Sequence, residues 1–132
     1  MKKSYITISL LVVVVLIGGA LFLSNKNSQV KGEDTSQYIS VENGIQVINV
    51  IANSQGYTPK SIEAKAGIET VLRMESQNTY GCERSFRIPS MDITEILPTQ
   101  GSVDIPLGTP SKGENIFGSC SMGMYTLKIS FM

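Results

Sequence analysis

Four sulfur-bearing side chains carry most of the chemistry this chain can offer. In Cys120-Ser-Met-Gly-Met124, ligand-type residues fall at i, i+2 and i+4. An extended backbone would project all three to one face. The intervening Ser121 and Gly123 are small and leave room for the chain to bend around an ion. Cys82 lies upstream, after Asn78-Thr-Tyr-Gly81. Thiolates and thioethers are soft donors that select Cu(I) over Mg, Ca or Mn, and two thioethers are poor zinc ligands. The candidate metal ligands are therefore Cys82, Cys120, Met122 and Met124. Met74, Met91 and Met132 have no comparable neighbourhood and are assigned to packing or surface.

The absences narrow the chemistry further. The chain has no histidine, which removes the commonest general base and the commonest transition-metal ligand. A blue-copper electron-transfer centre needs two imidazoles beside its cysteine, so this chain cannot build one alone. A low-coordinate cuprous site remains, with two thiolates supplemented by thioethers. Such a site stores or hands over a metal and is not poised to cycle electrons. There is no Cys-x-x-Cys and no suggestive pair of carboxylates, so the chain is not expected to be an enzyme. Net charge is zero, and no basic field steers it toward nucleic acid. From Tyr38 onward, seven Lys or Arg stand against nine Asp or Glu, a mildly acidic balance.

The elements that must position these sulfurs follow from patterning. Lys2 and Lys3 precede an uncharged apolar run from Tyr5 to Leu23. As a helix it would rise roughly 28 Å, close to the hydrocarbon thickness of a bilayer. Residues 1–24 are read as a single-pass membrane anchor. The two lysines favour a cytoplasmic N-terminus and an extracytoplasmic remainder. A cleaved signal peptide usually has a shorter apolar core, and no Ala-x-Ala site follows. Residues 25–37 are polar without a hydrophobic period and read as a flexible tether.

Residues 38–132 read as one all-β domain. Ile45–Ala52 alternates with β-branched residues, and Asn53–Pro59 carries turn chemistry. Further strands are expected over Ile62–Ala66, Thr70–Met74, Ser85–Ile88, Ile93–Leu97, Val103–Leu107, Asn115 toward Cys120, and Tyr125–Phe131. Seven or eight short strands imply a β-sandwich.

Two plainer readings compete with the metal site. Met122 and Met124 beside a strand could be core filler. Cys82 and Cys120 could form a structural disulfide in an oxidising compartment. The loop of about 39 residues that it closes would be worth about 3–4 kcal/mol in the chain-entropy model. The chain would then be an extracytoplasmic binding module without metal.

Gly56-Tyr-Thr-Pro-Lys-Ser-Ile62, followed by Ala66-Gly67, resembles the phrase that opens the metal-binding half of plastocyanin-like cupredoxins. Cys82 stands where that family has its first ligand. Ile116-Phe-Gly-Ser-Cys120-Ser-Met-Gly-Met124 fits the ligand loop before the last strand, without the family's histidines. In overall plan the chain is similar to the CupA-type copper chaperones of Gram-positive bacteria, with an N-terminal membrane helix, a short tether and a cupredoxin-fold domain. They also carry a cysteine well before a terminal Cys-x-Met-x-Met. The resemblance implies a Greek-key cupredoxin sandwich and a binuclear Cu(I) site. Cys82 and Cys120 would bind the tighter ion, while Met122 and Met124, with a shared cysteine sulfur, would hold a weaker one. It also implies a role in copper export and resistance, with a copper-exporting P-type ATPase of the same membrane as partner. The chain is expected to act as a monomer.

Overall fold

The computed structural model describes residues 34–132. The expected anchor over residues 1–24 and most of the tether over 25–37 lie outside the described residues. Among the described residues, no helix is long and apolar enough to cross a membrane. A 3-10 turn over Thr35–Tyr38 opens this region, capped by the Asp34 side chain.

Alternation of apolar and polar residues, with frequent Gly and Pro breaks, gives ten strands among the described residues. They are β1 (Ile39–Glu42), β2 (Ile45–Asn53), β3 (Gly56–Thr58), β4 (Ser61–Ala64), β5 (Thr70–Gln77), β6 (Ser85–Ile88), β7 (Ile93–Ile96), β8 (Gln100–Gly108), β9 (Asn115–Cys120) and β10 (Thr126–Phe131). One sheet runs β1-β2-β5-β8, with β3 also paired to β2; the other runs β4-β10-β9-β6-β7. The β2–β5 and β4–β10 pairs are parallel and the remaining pairs antiparallel.

The inward faces follow the period of two expected of half-buried strands. Leu72 and Met74 of β5 face the core, as do Ile116 and Cys120 of β9 and Leu127, Ile129 and Phe131 of β10. They meet Ile48 and Val50 of β2 and Phe86 and Ile88 of β6 in one continuous cluster. The two sheets thus form an all-β sandwich, as alternation alone predicts.

Two strands go beyond the sequence-based expectation. β1 and β2 are joined by Asn43-Gly44, both at positive φ (51° and 80°). That is the hairpin chemistry in which backbone twist matches the flanking strands. β3 lies inside the segment read as turn, because the chain reverses at Ser54-Gln55 and pairs straight back onto β2. β5 also continues past Met74 to Gln77, which carries the sheet up to the loop before Cys82.

Candidate metal centre

Cys120 ends β9. The strand's alternation turns it inward, and it is fully buried opposite Phe86 of β6. The following residues form a turn, which bends where the small Ser121 and Gly123 leave room for it. The Gly123 N–H donates to the Cys120 carbonyl at 2.9 Å, and the Cys120 N–H donates to the Tyr125 carbonyl at 3.0 Å. Gly123 takes φ +70°, which an L side chain rarely adopts. This curl brings a backbone N–H group onto the Cys120 sulfur. Tyr125 donates to Sγ at 3.4 Å.

Cys82 opens a 3-10 turn over Cys82–Arg84. The loop that delivers it is tied down at each step. Asn78 sits at positive φ (55°), and its Oδ1 accepts from Gln100 Nε2 at 2.6 Å. Thr79 donates its hydroxyl to the Pro98 carbonyl at 2.7 Å and its N–H to the Thr99 carbonyl at 3.1 Å. Glu83 Oε1 accepts the N–H groups of Tyr80 at 2.8 Å and Gly81 at 2.9 Å. Beyond the turn, Arg84 Nε donates to the Leu97 carbonyl at 3.0 Å.

The two cysteines, far apart in sequence, come together here: Cys82 packs against the core cluster that holds Cys120, close enough for each sulfur to shift the other's titration. Both are free thiols. The neighbouring Cys120 sulfur is the main reason that Cys82 sits above the ordinary thiol value, with burial and the charge of Glu83 adding to it. Burial pushes Cys120 up, but the Tyr125 N–H, the Cys82 thiol and the Met122 and Met124 N–H groups outweigh it, and Cys120 lies below the ordinary value.

A group of aromatic rings supports this end of the domain. Tyr57 of β3 packs edge-on against Phe86 at 5.3 Å between centroids and against Tyr125 at 6.3 Å. Its hydroxyl donates to the Glu83 carbonyl at 3.0 Å. Burial, then the charges of Cys120, Cys82 and Glu83, hold that hydroxyl in its protonated form. Gly56 admits the Tyr125 ring, since a Cβ there would lie 2.7 Å from Tyr125 Cδ1.

The methionine side chains face outward. Met122 is 72 % exposed and Met124 66 %, so neither is core filler. Met74, by contrast, is fully buried in the core, and Met132 is exposed away from the cysteine pair. Among the described residues, no three His, Cys, Asp or Glu side chains cluster to hold a metal. The donor set at this end is two adjoining thiols with two exposed thioethers on the turn after the second. Amide N–H groups aimed at a sulfur favour its thiolate, the form that ligates a metal. The residues therefore fit a soft, monovalent ion of low coordination number.

A family model described as "Cupredoxin-like domain" matches residues 13–129. The chain belongs to the cupredoxin-like domain family. No curated protein matches it. Among solved structures, this cupredoxin-like chain is similar to the metal-binding domain of the Streptococcus pneumoniae D39 Cu(I)-exporting P-type ATPase CopA with Cu(I). They share 26 % identity at a TM-score of 0.62, over 71 % of this chain and 92 % of that one. It is also similar in fold to a copper-binding protein solved in the apo form, at 22 % identity and a TM-score of 0.62, over 71 % and 94 % of the two chains. Auracyanin B shares the fold at 11 % identity and a TM-score of 0.52, over 72 % and 94 %. The neighbours thus include copper-binding domains, one of them in complex with Cu(I).

The sequence singles out both cysteines and the two methionines as candidates, and the structure places all four at this end of the domain. Sequence reasoning missed Glu83, Tyr57 and Tyr125, which hold the two loops. The sequence marks neither Glu83 nor Tyr57 as buried. A Glu between Cys82 and Arg84 reads as a surface charge, and Tyr57 falls inside a segment of turn residues.

Proposed function

We propose that this chain is a membrane-anchored Cu(I) carrier that serves copper export and resistance. The observation that carries the reading is that Cys82 packs against the cluster containing Cys120, in a domain without histidine, with Met122 and Met124 exposed on the adjoining turn. Two thiolates would hold one cuprous ion at the buried end of the site. The exposed thioethers, with a shared cysteine sulfur, would hold a second and weaker ion. They offer a path by which copper enters and leaves through exchange of soft ligands. The similarity to a metal-binding domain of a Cu(I)-exporting ATPase supports this reading, and such an ATPase is the partner we propose. Anchoring by residues 1–24, with the domain outside the cytoplasm, would confine carrier and pump to one surface and raise their effective concentration.

The nearness of the two cysteines also favours a second reading, a Cys82–Cys120 disulfide in a metal-free module. One experiment separates them. The full chain in detergent micelles is reduced and titrated anaerobically with Cu(I) against a chromophoric competing chelator. The carrier withdraws one or two equivalents; Cys82→Ser or Cys120→Ser abolishes the tight step, and Met122→Leu/Met124→Leu removes only the weaker one. A reduced wild type that cannot compete sinks the carrier reading. Resistance of both cysteines to alkylation before reduction would then favour the disulfide.

A further inference from the structure

Glu83 is a carboxylate inside the domain, 3 % exposed, one residue after a candidate ligand. Burying a charge is costly unless it is paired or hydrogen-bonded. Among the described residues Glu83 makes no salt bridge. Its compensation is the pair of N–H groups of Tyr80 and Gly81, both accepted by Oε1. Those two amides belong to the loop that delivers Cys82, and the rings they close run through Cys82 itself. The Glu83 backbone is held from the opposite side by the Tyr57 hydroxyl, and the Arg84 N–H donates to the Gly81 carbonyl at 3.3 Å. The carboxylate is thus the centre of a clamp around one thiol.

Gly81 is fitted to the same clamp. Its φ of −104° is open to any residue, so backbone freedom does not explain it. A Cβ there would lie 2.6 Å from Glu83 Oε2. Only glycine leaves the carboxylate its seat.

We infer that Glu83 is a positioning residue for the metal centre: its carboxylate orders the Tyr80–Cys82 loop so that the Cys82 sulfur faces Cys120 before any ion arrives. This inference rests on the Cu(I) reading of the site. Order present beforehand is order that binding need not impose, and affinity rises accordingly. Groups that orient metal ligands typically change metal affinity 10- to 100-fold when removed.

The test uses the full chain in detergent micelles, reduced and anaerobic, with Cu(I) alone as probe against a chromophoric chelator. The variants are Glu83→Ala, Glu83→Gln, Gly81→Ala and Gln46→Ala, each with its melting temperature. Gln46 is a buried side chain bonded to Lys65 and Thr70 at the far end of β2 and β5, and it controls for lost stability alone. Glu83→Ala and Gly81→Ala are expected to weaken the tight equivalent on the order of 10- to 100-fold. Glu83→Gln, whose amide oxygen can accept the same N–H groups, stays within a few-fold of wild type. Gln46→Ala lowers the melting temperature and leaves affinity unchanged.

Unchanged affinity in Glu83→Ala overturns the inference, as does a Gln46→Ala loss that matches Glu83→Ala at equal destabilisation. A Glu83→Gln loss as deep as that of Glu83→Ala overturns it in favour of a role for charge. Should Glu83→Ala not fold, Gly81→Ala, which keeps the carboxylate, decides, and unchanged affinity there overturns the inference. A wild type that takes no Cu(I) removes the carrier reading as well, whereas a wild type that binds beside an unaffected Glu83→Ala removes the clamp alone.

Discussion

Tyr57 donates its hydroxyl proton to the backbone carbonyl of Glu83 at 3.0 Å. The residue after Cys82 is thereby fastened to a ring planted in the β2–β3 hairpin. Tyr57→Phe keeps the ring contacts with Phe86 and Tyr125 and removes only this bond. An acceptor stripped of its partner inside a protein costs about 1–3 kcal/mol. Urea unfolding of the full chain in detergent should show a lower midpoint with an unchanged slope. An unchanged midpoint would mean that the Glu83 carbonyl finds another donor.

Gly118 sits inward on β9, where a Cβ would strike the Phe86 ring. Phe86 is fully buried and cannot retreat without disturbing Tyr57. Gly118→Ala should therefore destabilise the domain by about 1–3 kcal/mol, as overpacking does. Adding Phe86→Leu should recover part of the loss. Melting temperatures of the single and double variants check both statements.

Much of this architecture is legible in the sequence because alternation is a local signal. Leu127, Ile129 and Phe131 announce the last strand before any coordinate is known, and Ser85–Ile88 has the same limits in both readings. The cysteine and methionine candidates stand out in the sequence because their element, sulfur, fixes the chemistry they can offer. What could not be read was tertiary. The spacing of Cys120, Met122 and Met124 suggested one face, but the hydrogen bond between Gly123 and Cys120 curls the chain. The cysteine then turns inward while the methionines turn out. Glu83 was invisible because a lone Glu beside Arg84 gives no local sign of burial, and the Tyr57 hydroxyl that fastens its backbone arrives from a hairpin distant in sequence.

Glu83 should also set part of the acid stability. Burial raises it, but the Gly81, Glu83 and Tyr80 N–H groups and the Arg84 charge outweigh that, and its carboxyl lies below its ordinary 4.5. A depressed carboxyl stabilises the fold fully above its unfolded value, and that contribution is lost as pH falls through the folded value. Stability should therefore fall as pH drops through and below about 4.5. Glu83→Gln should flatten that limb by lowering the neutral-pH midpoint toward the acid one, because the amide cannot ionise. Unfolding midpoints measured from pH 7 down to pH 3 would reveal it. An identical acid limb in both proteins would assign the loss to other carboxyls.

Met122→Leu/Met124→Leu changes two exposed side chains of similar volume. Folding stability should stay within about 0.5 kcal/mol of wild type. The weaker copper step of the carrier reading should disappear, while the tight one remains. Thermal melting and the competitive Cu(I) titration, run on one preparation, separate these two effects. Loss of the tight step as well would place a thioether in the inner site.

Cys82 and Cys120 approach only because β6 pairs with β9, which sets Phe86 beside Cys120. An unfolded chain must close a long loop, at an entropic cost, before it can present both sulfurs to one ion, whereas the folded chain holds them together already. Whatever both sulfurs grip together is therefore gripped more tightly by the folded state, and occupancy adds to the work of unfolding. On the carrier reading, empty copies would open more often than loaded ones and would be the ones met by extracytoplasmic proteases. The amount of the protein would then follow the supply of its cargo, with no sensor beyond a single strand pairing.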